Sequence, residues 1–250
     1  MRFHEYLSLT DPSYESYQRI LKCTCRKAKI ELLDLGMGIN GIVLGDGSPT
    51  ICFQAGIHGD EIAGPWGVMR FLADYNGQYD KKIVIIPVAN PTGFHKGKRR
   101  NKDNRDLNRH GCHKKLEGEN KILYDFMMGQ CRGGHMEEKI DFLHTLHEDS
   151  SIDEFYLYHS IGVPHKMLDS LLSLGKKYFK VHSGKTIHGE PAINGRVPLD
   201  KVSGDCTMED RLWVEGVPYI ASETPGSLDL GKRIELNFEM MKAIADYKFL

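Results

Sequence analysis

A histidine and a glutamate three residues apart form the first pair in the sequence that could bind a metal ion. His58 follows the apolar segment 51–55, and Glu61 comes after a short turn. The imidazole would therefore lie in a turn and the carboxylate in the first turn of a helix, where both can reach one cation. This pair of donors suits zinc. The same spacing recurs at His135 and Glu138, but no apolar strand precedes that pair, and we interpret it as a solvated helix start.

A catalytic zinc site needs a third protein ligand and an open position for water. His147 is the candidate, because it ends the apolar segment 140–147. His144 competes with it, but a side chain three residues back in a strand points to the opposite face, so we interpret His144 as a core or supporting histidine. Glu148 and Asp149 follow directly, and the pattern leaves open whether they support a ligand or are plain loop acids.

An acid near the end of the chain could complete a hydrolytic site. Glu223 lies at the end of the apolar segment 218–222 and shortly before Pro225 and Gly226. By position alone it could be a loop residue, an acid at a helix N-terminus or, beside a metal ion that activates water, a general base. The pattern leaves these interpretations open.

The segment 95–115 is strongly basic, with nine lysines and arginines against Asp103 and Asp106. A segment of this kind is commonly a solvated loop, and it could also bind nucleic acid. Apart from the preceding Phe94 it lacks interleaved aromatic residues, which weakens a role in stacking on bases. Beside a metal site, its arginines could instead bind a carboxylate and stabilise an oxyanion.

These candidates need a scaffold that brings them together. The chain has 250 residues, of which 40% are hydrophobic, and no repeat or flexible linker divides it, so we expect one domain over residues 1–250. Strand-like and helical segments alternate, which predicts an α/β sheet covered on both faces, with ligands beyond the carboxyl ends of central strands. We predict strands at 30–35, 41–44, 51–55, 82–89, 140–147, 155–159 and 218–222, and helices at 11–27, 61–75, 116–128, 165–177 and 228–247.

Composition also sets expectations about location and partners. A net charge of -1 argues against a protein that coats nucleic acid, and neither a signal peptide nor a membrane-spanning stretch is apparent. Six dispersed cysteines without a C-x-x-C pair indicate reduced thiols. We therefore expect a cytoplasmic protein without a membrane partner, and the sequence carries no signal for its oligomeric state.

Taken in order, these motifs resemble the zinc metallocarboxypeptidase family and its related succinylglutamate desuccinylase/aspartoacylase branch. The resemblance covers about residues 50–226, and its specificity lies in the ordered set rather than in any one motif. The set comprises His58-x-x-Glu61, Arg99-x-Asn101, Asp106-Leu107-Asn108-Arg109, His147 at a strand end and Glu223 in Ser-Glu-Thr-Pro.

The resemblance implies a three-layer α/β/α fold around a central mixed sheet of about eight strands. It also implies a division of roles among the motif residues. The family pattern implies that Zn²⁺ would be bound by His58, Glu61 and His147, and that Glu223 would be the catalytic glutamate. The substrate's free carboxylate would be held by Asn108 and Arg109. The oxyanion donor would be Arg99, although Arg100, which could also bind substrate, or Arg105 could take its place.

The implied activity is hydrolysis of an amide bond next to a free carboxylate in small peptides. The alternative is an N-acyl-amino-acid deacylase, and a non-enzymatic polyanion-binding module is a third hypothesis. The chain length and the Arg-x-Asn spacing favour the peptidase. Family carboxypeptidases usually have a mobile tyrosine shortly before the catalytic glutamate. This sequence departs from that pattern, since the segment 181–218 contains no tyrosine and Tyr219 falls inside the predicted strand.

Overall fold

The computed structural model describes residues 13–77, 79–109, 111, 115–130, 136 and 138–249, so His135 of the second histidine–glutamate pair lies outside it. Ten strands are named among these residues: β1 Leu33–Gly36, β2 Ile39–Leu44, β3 Thr50–Ala55, β4 Lys82–Ile86, β5 Phe142–Asp149, β6 Tyr156–Ser160, β7 Thr186–Ile187, β8 Glu190–Pro191, β9 Arg196–Leu199 and β10 Tyr219–Pro225. The α-helices are α1 Tyr14–Ala28, α2 Ala63–Asp74, α3 Pro91–Lys96, α4 Gly118–Met127, α5 His165–Tyr178, α6 Met208–Val214 and α7 Leu230–Ala245.

Eight of the strands form one mixed sheet in the order β1-β2-β4-β3-β5-β10-β6-β9. The four central strands β4, β3, β5 and β10 run parallel to one another, whereas β2 and β6 join them antiparallel. Parallel central strands are buried on both faces, which agrees with the uninterrupted burial of β3. The carboxyl ends of β3, β5 and β10 therefore meet at one edge of the sheet.

Helices cover both faces of this sheet. On one face, α1, α2, α5 and α7 pack into a core that contains Tyr17, Trp66, Leu168 and Met241. On the other face, α4 and α6 bury side chains such as Phe126 and Leu212. The expected three-layer α/β/α fold with an eight-stranded mixed sheet is confirmed. Within the described ranges, no helix is both long and apolar enough to cross a membrane.

The predicted strands and long helices are all present, with ends that differ by a few residues. The elements that the sequence pattern missed are short: α3, α6, β7, β8 and β9. Two to seven residues are too few to show a clear hydrophobic period, so tertiary pairing decides their conformation. This matters for function because α6, a seven-residue helix, carries a side chain that reaches the candidate site.

The packing of α2 against α7 depends on a glycine. A Cβ atom built on Gly67 would lie 2.6 Å from the Cβ of Asn237, a residue that is fully buried. We expect Gly67→Ala to lower the free energy of unfolding by about 1–3 kcal/mol, since the two helices would have to move apart. Denaturant titration measures this change. Gly204→Ala is the control, because a Cβ there meets no atom within 4 Å; an equal loss in both variants would contradict the steric explanation.

Candidate active site

Three of the four central parallel strands, β3, β5 and β10, bring the candidate residues to one place. β3 leads into the turn that carries His58, whereas His147 and Glu223 lie near the ends of β5 and β10 and are register partners in the sheet. Glu223 is also the register partner of Tyr156 on β6. Register partners on adjacent strands point to the same face of the sheet, so these three side chains are neighbours.

The turn that carries His58 is held by close backbone contact with the start of α3. A Cβ on Gly59 would lie 2.0 Å from the carbonyl carbon of Gly93, so only glycine fits there. The side chain of Asn90, which is fully buried, donates from Nδ2 to the carbonyl oxygens of Ile57 (3.3 Å) and Arg99 (3.1 Å). Asn90 therefore fixes the histidine turn and the arginine segment to each other.

His58, Glu61 and His147 form a compact and buried cluster. Nδ1 of His58 lies 2.6 Å from Oε1 of Glu61, and Nδ1 of His147 lies 3.0 Å from Oε2 of the same carboxylate. One ligand atom from each residue falls within 4.8 Å of the others, and the three residues are only 3%, 6% and 3% exposed. Two imidazole nitrogens and a carboxylate oxygen that converge in this way are a donor set for zinc. We call these three residues the triad.

The outer nitrogens of the two imidazoles both face carboxylates. Nε2 of His58 lies 3.3 Å from Oδ1 of Asp106, and Nε2 of His147 lies 3.1 Å from Oε1 of Glu209. A carboxylate that accepts the Nε2 proton leaves the Nδ1 lone pair free for a cation, which is the usual arrangement around metal-bound histidines. The residues present therefore fit a zinc ion at the triad.

The ionisation of Glu61 agrees with this fit. Burial alone would raise its pKa, but the imidazoles of His58 and His147 outweigh burial and lower the pKa to about 2. The carboxylate is therefore ionised at neutral pH. A ligand must be deprotonated to bind a metal ion, and this one already is.

The pKa of Glu223 is shifted in the opposite direction to that of Glu61. Burial raises its pKa to about 8, the imidazole of His147 opposes that rise, and the carboxylates of Glu61 and Asp149 add to it. A cation at the triad would lower this pKa again, because positive charge favours the ionised carboxylate.

Two of the four candidate arginines, Arg99 and Arg109, contact the triad or the motif Asp106-Leu107-Asn108-Arg109. Arg99 places Nε 2.9 Å from Oδ2 of Asp106 and an NH1 nitrogen 3.5 Å from Oε1 of Glu61. Arg109 donates from NH1 to the carbonyl oxygen of Asn108 (2.9 Å) and pairs through NH2 with Asp205 (3.2 Å). Both guanidinium groups keep part of their surface open to solvent, where a substrate can reach them.

Arg100 and Arg105 are placed differently. Arg100 is exposed and donates from NH1 to the carbonyl oxygen of Asn104 (3.0 Å), and it does not line the cavity beside the triad. Arg105 is exposed and lines a separate depression next to α4. Of these three arginines, only Arg99 lines the cavity beside the triad, and Arg100 and Arg105 lie outside it.

A cavity of about 760 Å³ opens above the triad. Arg99, Asn108, Arg109 and Glu223 line it together with the triad residues. Aromatic side chains form part of its wall, and the remaining lining is mostly polar. The wall also includes Tyr156, Tyr158, Tyr219, His188, Glu190, Asp205 and Glu209. A volume of this size lies within the usual range for small-molecule sites.

Residues 47–125 match the family model of the succinylglutamate desuccinylase/aspartoacylase catalytic domain. The family resemblance inferred from the sequence is confirmed. The matched region contains His58, Glu61 and the motif Asp106-Leu107-Asn108-Arg109, whereas His147 and Glu223 lie beyond it. No curated protein sequence matches the chain significantly.

Solved structures agree on the fold. A provisionally named metallopeptidase from Shewanella baltica OS155 aligns with a TM-score of 0.80 at 23% identity, over 94% of this chain and 92% of its own. A metallo-carboxypeptidase from Burkholderia cenocepacia gives 0.66 at 16% identity, over 92% and 68%. A succinylglutamate desuccinylase from Silicibacter sp. TM1040 gives 0.55 at 16% identity, over 82% and 59%. At these identities the likeness establishes the fold.

The family resemblance did not reveal every residue at the site. Glu209 is buried against His147, yet it lies in a segment without strand or motif signal. Asp149 accepts hydrogen bonds from the hydroxyl of Tyr156 (2.7 Å) and from Nε2 of His188 (2.8 Å), and all three line the cavity. Only the strand-end position of Asp149 could have suggested this group in advance.

The remaining acids and histidine near the triad have structural contacts. His144 faces the opposite side of the sheet, where its Nε2 lies 3.0 Å from Oγ of Ser222. The side chain of Glu148 is 4% exposed, pairs with Arg233 on α7 and accepts the amide of Ala63 at the start of α2 (2.6 Å). Glu148 therefore ties β5 to two helices.

Three tyrosines lie near Glu223, none of them in the segment 181–218 before it, where the family pattern leads one to expect a tyrosine. Tyr219 is buried within β10, as its position in the sequence indicates. Tyr156 and Tyr158 of the adjacent strand β6 stand on the same side of the sheet as Glu223 and also line the cavity. These rings belong to a strand, so this wall of the cavity is part of the rigid sheet.

Proposed function

We propose that this protein is a zinc-dependent hydrolase that cleaves an amide bond next to a free carboxylate in small peptides. One observation supports this most strongly: the triad, Glu223 and Arg109 line one cavity. Bound at the triad, zinc would supply a Lewis acid that polarises a carbonyl group and activates water. The proposal treats residues 1–250 as one catalytic domain.

The side chains divide the work of such a reaction. Glu223 takes a proton from the attacking water and returns it to the leaving amine, and its register pairing with His147 puts it beside the triad. Arg99 stabilises the negative charge that develops on the carbonyl oxygen. Asn108 and Arg109 hold the substrate's free carboxylate, and Arg109 can do so through both arms of its guanidinium group.

A second candidate, an N-acyl-amino-acid deacylase, is favoured by the family model that matches residues 47–125. The same residues would act in a deacylase, because its substrate, an N-acyl amino acid, also carries a carboxylate beside an amide bond. Hydrolysis assays on short free-acid peptides, including murein-type peptides, beside N-acetyl and N-succinyl amino acids would separate the two. Faster cleavage of the acyl amino acids would favour the deacylase.

The carboxylate-binding role of Arg109 gives a specific prediction. Lysine keeps the charge but cannot form a bidentate contact, so we expect Arg109→Lys to lower kcat/KM for free-acid substrates by about 10–100-fold. The matched control is Arg100→Lys, which should retain the wild-type value because Arg100 does not line the cavity.

The comparison that decides this role uses amidated substrates. Arg109→Lys should change kcat/KM little for a peptide whose terminal carboxylate is blocked as an amide. Equal losses on free and amidated substrates would contradict carboxylate binding by Arg109.

The third hypothesis, a polyanion-binding module, predicts steeply salt-dependent binding of RNA or DNA and no stoichiometric metal. The family match and the converging triad favour the enzyme instead. The cytoplasmic location expected from the cysteine content stays a prediction.

A further inference from the structure

Glu209 makes a buried contact with His147 that lies outside the motif set. Its Oε1 atom lies 3.1 Å from Nε2 of His147, although 62 residues separate the two in sequence. Glu209 is 2% exposed and His147 is 3% exposed. Because both side chains are almost fully shielded, the Glu209 carboxylate is well placed to set the orientation of the His147 ring.

The start of α6 holds Glu209 at this position. Thr207 and Asp210 form a capping box, in which Thr207 Oγ1 accepts from the amide of Asp210 (3.1 Å) and the Asp210 carboxylate accepts from the amide of Thr207 (3.0 Å). The next amide, that of Met208, donates to Oδ1 of Asn108 (3.0 Å). The same helical turn therefore touches a triad histidine and the substrate-side motif.

The carboxylates that face the two triad histidines differ in whether a cation lies beside them. Asp106, which faces His58, also pairs with Arg99, and this cation offsets part of its negative charge. His147 is the ionic partner of Glu209, and among the described residues no lysine or arginine nitrogen lies within 4.0 Å of this carboxylate. No such cation therefore offsets the charge of Glu209 beside the imidazole of His147.

We propose that Glu209 is a positioning residue that accepts the Nε2 proton of His147, fixes the tautomer whose Nδ1 lone pair faces Glu61, and so strengthens zinc binding. This inference rests on the proposed function, since it takes His147 to be a zinc ligand. A ring that turned over, or that carried its proton on Nδ1, would present no lone pair to the triad.

The test is the zinc dissociation constant of Glu209→Gln, measured near neutral pH by competition with a chromophoric chelator. Glutamine keeps the shape and removes the charge, and we expect the constant to rise about 10–100-fold. Glu209→Asp, which keeps the charge but shortens the side chain, should show a loss of the same order. If the glutamine variant does not fold, the zinc dissociation constant of Glu209→Asp tests the positioning role instead.

Glu119→Gln is the matched control. Glu119 is also buried (4% exposed), lies on α4 and bonds to Asn101 (3.2 Å), with no recorded contact to the triad. Its zinc dissociation constant should equal that of the wild type. The visible absorption of the Co²⁺-substituted protein is a second measurement, and its bands should shift in the Glu209 variants alone, which a loss of general stability would not produce.

Unchanged zinc affinity and an unchanged Co²⁺ spectrum in folded Glu209 variants would overturn the positioning role. In that case a wild-type protein that binds zinc and hydrolyses its substrate would still support the proposed function. A wild-type protein that neither binds zinc nor hydrolyses any substrate would overturn both.

Discussion

Replacing Glu223 with glutamine is expected to lower kcat by about 10³-fold while zinc remains bound. Glutamine matches glutamate in shape but cannot accept a proton from water at neutral pH. Glu223 is the register partner of His147 on the neighbouring strand, close to where a substrate carbonyl would meet the triad. Steady-state kinetics on free-acid peptides or N-acyl amino acids measures the loss, and metal analysis of the same sample measures the zinc.

Glu190→Gln is the control for this variant, because Glu190 is another acid that lines the cavity but lies on β8, outside the main sheet. It should retain most of the activity. If Glu223→Gln kept nearly full activity with zinc bound, Glu223 would not be the general base.

Removing His147 should abolish both zinc binding and hydrolysis. His147→Ala deletes one of three protein ligands, leaves the buried carboxylate of Glu209 without its imidazole partner, and leaves Glu61 with His58 alone. We expect zinc affinity to fall by at least about 10³-fold, measured by chelator competition. Circular dichroism of the metal-free protein checks that the variant folds.

His188→Ala is the matched control, since His188 also lines the cavity but bonds to Asp149 at its rim instead of joining the triad. Its zinc content should equal that of the wild type. Stoichiometric zinc in purified His147→Ala would show that the metal binds elsewhere.

The parts of the site that the sequence reveals are those that local patterns encode. His58 and Glu61 follow a buried strand within a single turn, and His147 ends another apolar run, so period and position suffice to select them. The α/β architecture follows in the same way from alternating strand and helix patterns. The ordered motif set then supplies the family resemblance.

The parts that the sequence does not reveal depend on contacts between distant segments. Glu209 reaches His147 only because β5 and β10 are adjacent in the sheet and α6 lies just before β10. The choice among Arg99, Arg100 and Arg105 depends on the path of an irregular loop, which Asn90 and Asp106 hold in place. No local pattern encodes either arrangement.

Zinc dependence is tested most directly by a zinc titration of the metal-free wild-type protein during hydrolysis of a free-acid peptide or N-acyl amino acid. Without metal we expect no cleavage, and the rate should rise in proportion to added zinc until one ion is bound per chain. Equal rates with and without zinc, or no cleavage of any carboxylate-bearing amide by the zinc-loaded protein, would contradict the proposed function.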